Sequence, residues 1–171
     1  MIKVCGSNSQ CQLCEESNNV DSFNNPVVNP PCFFKFDVSS IISISFYFMQ
    51  TVWITRERRA FCIGSNSKLQ IIDNLPQETF QSEREIIITN EEGRPCHFIS
   101  VVCGESYTLY RVSFHSDFKH TQLVYQYQDH PKSIFLNLNG REPIALYGGD
   151  TISACIDSEG AIIVITKSVI K

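Results

Sequence analysis

Cys11 and Cys14, separated by Gln12-Leu13 and preceded by Cys5, form the densest group of metal-ligating or nucleophilic side chains in the chain. Two thiols at this spacing make half of a zinc site or a thioredoxin-like redox pair. A zinc centre needs a second ligand pair, and Cys96-His97 with Cys103 is the only candidate. Cys96 and Cys103 lack the compact spacing of a knuckle. A redox pair of the thioredoxin kind precedes a long helix, and no helical periodicity follows Cys14. The thiols read as inert, and neither a metal nor another cofactor is expected.

His97, His115, His120 and His130 are the available general bases. Each would need a nucleophile and an orienting carboxylate beside it. The chain contains no Gly-x-Ser-x-Gly, no His-Glu-x-x-His and no phosphate-binding loop. Asp73, Glu83, Glu85 and Asp150 form no paired-carboxylate signature. No catalytic, cofactor-binding or metal-binding residues are assigned, and the chain does not read as an enzyme. Arg56-Glu57-Arg58-Arg59 reads as a solvated hairpin tip, because Glu57 interrupts the positive run. Phe33-Phe34-Lys35-Phe36 and Phe46-Tyr47-Phe48 read as strand-spaced core aromatics. Asn90-Glu91-Glu92-Gly93 is a turn without calcium-loop periodicity.

These residues are set in a chain of 171 residues with a formal net charge of −4. That charge gives no attraction to nucleic acid or anionic lipid. The N-terminal Met1-Ile-Lys-Val-Cys-Gly-Ser has no apolar region of a signal peptide. Eight cysteines without an export signal imply a reducing compartment, cytoplasmic or nuclear. Val38–Thr55 lacks charge and approaches the length of a membrane span. Yet Ile42, Ile44, Phe46 and Phe48 alternate there with Ser43, Ser45 and Tyr47, which is strand periodicity. Two buried strands are expected, not a membrane segment.

Strand signals with turn punctuation continue to the end of the chain. They cover 41–46, 51–55, 60–63, 85–89, 98–102, 107–113, 121–127, 134–138, 144–147, 152–156 and 161–166. Asn90–Pro95 is expected to form a turn between the β-branched runs at 85–89 and 98–102. Only 77–84 suggests a turn or two of helix.

Repetition organises the strands. Gly6-Ser7-Asn8-Ser9 recurs as Gly64-Ser65-Asn66-Ser67, each copy followed by a Gln and an aliphatic residue, Gln12-Leu13 and Gln70-Ile71. Ile41-Ile42-Ser43-Ile44 is echoed by Phe98-Ile99-Ser100-Val101. Gly104-Glu105-Ser106-Tyr107 aligns with Gly149-Asp150-Thr151-Ile152, and Thr55-Arg56-Glu57-Arg58 with Asp157-Ser158-Glu159-Gly160. The unit is about fifty residues, the size of a four-stranded propeller blade.

Gly148-Gly149-Asp150, Asp157-Ser158-Glu159-Gly160-Ala161 and Gly6-Ser7-Asn8-Ser9-Gln10-Cys11-Gln12-Leu13-Cys14 resemble the regulator of chromosome condensation repeat, a seven-bladed β-propeller module. The family pattern has glycines where Cys11, Cys14 and Leu69 stand, and Arg58 occupies the place of Gly160. The resemblance implies an all-β fold, a partial β-propeller of about three blades in one domain spanning 1–171. It further implies that the chain is an N-terminal fragment of a larger propeller, or self-associates to cover its open faces. The expected function is a non-catalytic protein–protein interaction module, with another protein as partner. Guanine-nucleotide exchange on a small GTPase is the alternative.

Overall fold

The computed structural model describes residues 3–7, 27–33, 39–47, 49–67, 70–72, 79–128, 130 and 132–166, with side chains from 39 onward except at Gln81. All thirteen regular elements among them are strands. β1 (Lys3–Ser7) and β2 (Val27–Phe33) form a two-stranded sheet. β3 (Ile41–Tyr47), β4 (Gln50–Thr55), β5 (Ala60–Ser65) and β6 (Thr79–Ile86) form the first four-stranded sheet. β7 (His97–Cys103), β8 (Tyr107–Ser113), β9 (Thr121–Tyr127) and β10 (Ile134–Leu136) form the second. β11 (Pro143–Gly148), β12 (Ser153–Asp157) and β13 (Ile162–Ile165) complete the arc. Every pairing is antiparallel, in sequence order. The expected all-β partial propeller is therefore present, as two full blades flanked by a three-stranded and a two-stranded sheet.

Strands β3, β7 and β11 are the inner strands: β3 and β4 pack on β7, and β7 packs on β11. The serines of β3 explain its alternation. Ser43 Oγ accepts from Val101 N at 3.3 Å, and Ser45 Oγ accepts from Cys103 N at 2.9 Å. The odd positions thus face the next blade. The eighteen uncharged residues that suggested a span are accounted for by β3, β4 and their neighbours, and no helix of the described residues is long and apolar enough to cross a membrane.

Strand β8, at the centre of the β7–β10 sheet, is buried on both sides, which dictates its sequence. Along β8, Tyr110 and Val112 join Val52, Ile54, Cys62 and Phe98 in one core, while Tyr107 and Leu109 join Leu123, Tyr125, Cys155 and Ile165 in another. Apolar residues are required at successive positions, so the strand reads as a continuous run rather than an alternation. Each fully buried aliphatic or aromatic side chain contributes about 1.5–3 kcal/mol. A hydrogen bond adds about 1 kcal/mol net. Burial supplies the stability, and the hydrogen bonds fix which blade sits on which.

The internal repeat is visible as register. Ser7 and Gly6 pair with Val27 and Val28, as Ser65 and Gly64 pair with Thr79 and Phe80, with a register shift just before the glycine in both sheets. The β1–β2 sheet therefore corresponds to the outer half of a blade. Three turns share one geometry. Thr55 N donates to Arg59 O, Asn90 N to Arg94 O and Asp157 N to Ala161 O, at 2.9–3.0 Å. In each, the fourth residue has positive φ: Arg58 at 63°, Gly93 at 76° and Gly160 at 81°. Arg58 does stand at a glycine position, as the alignment implies. Asp157 closes its turn with a buried carboxylate. Burial opposes its ionisation, but hydrogen bonds from Ala161 N, Arg141 and Glu159 N outweigh that and hold its pKa below the usual range.

One expectation is corrected. Residues 79–84 are strand, not helix: β6 is an outer strand in which Phe80 and Ile86 are buried between polar residues, and that sparse pattern mimics a helix. The expected turn is present at Asn90–Arg94, where Asn90 N donates to Arg94 O at 3.0 Å. It joins β6 and β7 of different sheets, beside the Thr89–Pro95 bridge, and carries the chain from one blade's outer edge to the next blade's inner strand. Gly160→Ala is expected to destabilise by about 1–2 kcal/mol in denaturant titration, the cost of a left-handed residue. Nothing lies within 4 Å of the added carbon, so sterics contribute nothing.

Candidate functional site

The second Gly-Ser-Asn copy builds the interface between the full blades. Asn66 is fully buried; its Oδ1 accepts from Ile71 N at 2.9 Å and Ile72 N at 3.3 Å, and its Nδ2 donates to Ile72 O at 3.0 Å. Gln70 Nε2 donates to Ser65 O at 2.7 Å. The loop so held presents two carbonyls to the next blade. Thr108 Oγ1 donates to Gln70 O at 2.8 Å, and Tyr110 OH donates to Ile71 O at 2.6 Å. Gln50 Nε2, also buried, reaches Tyr107 O and Thr108 Oγ1, both at 3.2 Å.

The glycine corners build the next interface. The Tyr107 hydroxyl lies 2.9 Å from the carbonyls of Gly149 and Ile152, donating its one proton to either, and accepts from Gly149 N at 3.2 Å. To reach that corner its ring passes beneath Gly104. A Cβ there would stand 2.0 Å from the ring and 2.7 Å from Asp150 O. Tyr125 stacks on the same ring at 5.6 Å. Glu105 N donates to Asp150 O at 2.8 Å, and Tyr47 OH donates to the Asp150 carboxylate. That hydrogen bond, with burial and the carboxylate charge, pushes the Tyr47 phenol up to about 12. At the opposite end of the same interface, Arg111 donates to Ile144 O and Thr121 Oγ1 to Pro143 O.

Of the residues weighed for catalysis, only His115 and His120 are shown to meet among the described residues. The His97 ring meets Phe118 edge-on at 5.5 Å, His115 meets His120 at 5.6 Å, and His130 lies over Tyr127 at 4.5 Å. His120 Nδ1 contacts Glu142 Oε1 at 3.2 Å. Ser113 Oγ bonds the backbone of His115, not its imidazole. Glu85 receives a two-pronged contact from Arg59 at 2.6 and 2.7 Å, so part of the charged hairpin tip is internally neutralised. Phe46 is 39% exposed rather than core. Asp73, Cys11, Cys14, Leu69, Phe34, Phe36 and Phe48 lie outside the described residues, and the side chains of Cys5 and Phe33 are not described.

Cys62, Cys96, Cys103 and Cys155 are free and buried. Burial pushes the thiols of Cys96 and Cys103 up to about 12, and that of Cys62 further. Among the described residues no three His, Cys, Asp or Glu side chains gather to hold a metal ion. Gln50, Tyr107, Thr108 and Tyr110 were not singled out by sequence motifs; Gly104 aligned with Gly149 was the one available signal for the corner.

Three predictions follow from this geometry. Gly104→Ala should cost on the order of 3 kcal/mol, against the smaller cost at Gly160, because the Tyr107 ring and its hydroxyl contacts must move. The native chain at pH 8 should leave the four buried thiols unlabelled by a disulfide reagent until it unfolds. Tyr125, like the thiols, is pushed up to about 12 by burial. Unfolded thiols ionise near about 8.5 and phenols near about 10. Stability should therefore be complete below that range and fall as pH rises toward 12, as measured by denaturant midpoints.

Solved structures share this architecture. The crystal structure of human WBSCR16 superposes with a TM-score of 0.70 and 11% identity, over 96% of this chain and 47% of that one. Prp20p from Saccharomyces cerevisiae, described with its binding to Gsp1p and histones, gives 0.63 and 14%, over 96% and 41%. Yeast RCC1 (Prp20) bound to Kap60 gives 0.65 and 14%, over 97% and 41%. The chain spans less than half the length of these structures. No protein-family model matches it, and no curated protein matches it. With the fifty-residue cadence, the glycine corners and the Asn66 loop all in place, the chain has the regulator of chromosome condensation type of repeat fold.

Proposed function

We propose that the chain is a non-catalytic protein–protein interaction module, one arc of a larger ring. The observation that carries this reading is how its reactive groups are used. The hydroxyls of Tyr107, Thr108 and Tyr110, the amides of Gln50 and Asn66 and the four described thiols all lie inside blade interfaces. Outward there remain turns of mixed charge, such as Arg56–Arg59, Glu91–Arg94 and His115–His120. Such surfaces suit recognition of another protein. The experiment is retention by the immobilised chain of a defined partner from extract, with the chain unfolded as control. Stoichiometric retention by the folded chain alone is expected, and equal retention by both would refute the reading.

The second reading is an exchange-factor-like regulator of a small GTPase. It is favoured by the likeness to Prp20p, whose structure is described with binding to Gsp1p. Release of fluorescent GDP from such a GTPase, with and without the chain, decides between the two. A cytoplasmic or nuclear location accords with either.

The ring reading draws on the β11–β13 sheet, where Tyr147, Ile162 and Val164 are 57%, 71% and 52% exposed. On the other blades such positions are covered by a neighbour. Further repeats of the same polypeptide, or a second chain, would cover them here. The purified chain should self-associate with rising concentration in light scattering, and Ile162→Lys with Val164→Lys should weaken this. A monomer at all concentrations would contradict it.

A further inference from the structure

Where the linker after β6 passes the second full blade lies a cavity of about 440 Å³ whose walls come from sequence positions far apart. One wall is Asn90–Glu92 of the turn in which Asn90 Oδ1 holds Glu92 N at 3.1 Å and Arg94 N at 2.9 Å. That turn sets Glu91 and Glu92 on the rim. The opposite wall is Phe114 and Phe135, rings 6.1 Å apart, with Gln122 and His115 beside them. Phe135 is 44% exposed although it is a large apolar side chain on an outer strand.

The electrostatics of the cavity are one-sided. Glu92 pairs with Arg94 of its own turn at 3.1 Å, both well exposed. Glu91 has no ion-pair partner among the described residues. No lysine or arginine lines the cavity. A carboxylate without a counter-charge opposite two aromatic faces favours a cation, and ring faces attract a guanidinium in particular. The aliphatic stem of such a side chain is accommodated by the same rings.

We propose that this cavity receives an arginine side chain from a basic, extended segment of a protein partner, stacked on Phe135 with its guanidinium toward Glu91. The proposal rests on the interaction-module reading and names part of its surface. A lysine would supply charge but neither the planar stacking nor the forked hydrogen bonds.

The test uses the full chain, isotope-labelled, titrated with the peptide Gly-Gly-Arg-Gly-Gly and with the same peptide carrying neutral citrulline for arginine. The expected result is saturable shifts of the amides of Glu91, Gly93, His115 and Phe135 with the arginine peptide. Citrulline and Glu91→Gln should each weaken binding up to about fivefold. Phe135→Ala should weaken the arginine peptide more than a lysine peptide. Equal binding of the citrulline peptide, shifts mapping elsewhere, or unchanged affinity in Glu91→Gln would overturn the proposal. Both substitutions are at exposed positions, and an unchanged amide spectrum elsewhere verifies that each variant is folded. A chain that retains its protein partner yet ignores the arginine peptide loses this pocket alone. One that binds the peptide here but retains no protein loses the module reading.

Discussion

Each blade depends on its neighbour for half of its burial, so the arc stands or falls with the contact between consecutive sheets. At the interface of the two full blades that contact is governed by one buried amide. Asn66 satisfies two backbone N–H groups and one carbonyl of its own loop, and thereby aims the carbonyls of Gln70 and Ile71 outward. Thr108 and Tyr110 of the following blade answer them. Apolar burial would tolerate some sliding of one sheet over the other; a pair of buried hydroxyl-to-carbonyl bonds does not, because each unmatched group costs about 1–3 kcal/mol. Tyr107 plays the corresponding part at the next interface through the Gly149 corner.

The repeat and most strands were legible because both leave a periodic trace. β8 and β9 fall on the expected Tyr107–Ser113 and Thr121–Tyr127, and Arg58 takes the positive φ that its alignment with Gly160 demands. The outer strands were harder. β6 buries Phe80 and Ile86 but carries Gln81, Ser82, Glu83 and Arg84 between them, a pattern without strand alternation. β2 contains Pro30 and Pro31, which argue against a strand anywhere but at an edge. The turn at Asn90–Arg94 was legible, but turn chemistry is local and does not say whether the flanking strands share a sheet.

The interface residues were less legible still. Gln50, Thr108 and Tyr110 sit in apolar strands and look like ordinary interior residues until the neighbouring blade is in place. The Glu91 and Phe135 cavity has no sequence signature, since its walls come from the linker at Asn90–Glu92 and from distant positions of the second blade that meet only in the fold. Motif reading was drawn instead to the cysteines. The four that are described turn out to be core residues whose thiols burial holds protonated. Chemistry that looks reactive in one dimension is here consumed by packing.

The most direct test is a double-mutant cycle between Asn66→Ala and Tyr110→Phe, read by denaturant unfolding of the full chain. Asn66 holds Ile71 N and both backbone groups of Ile72, and so acts on the Ile71 carbonyl to which Tyr110 OH donates. The account predicts a coupling of at least about 0.5 kcal/mol, since removing the amide already releases the carbonyl that the hydroxyl needs. Strict additivity would show that the loop holds its shape without Asn66, and that the blades are registered by something else.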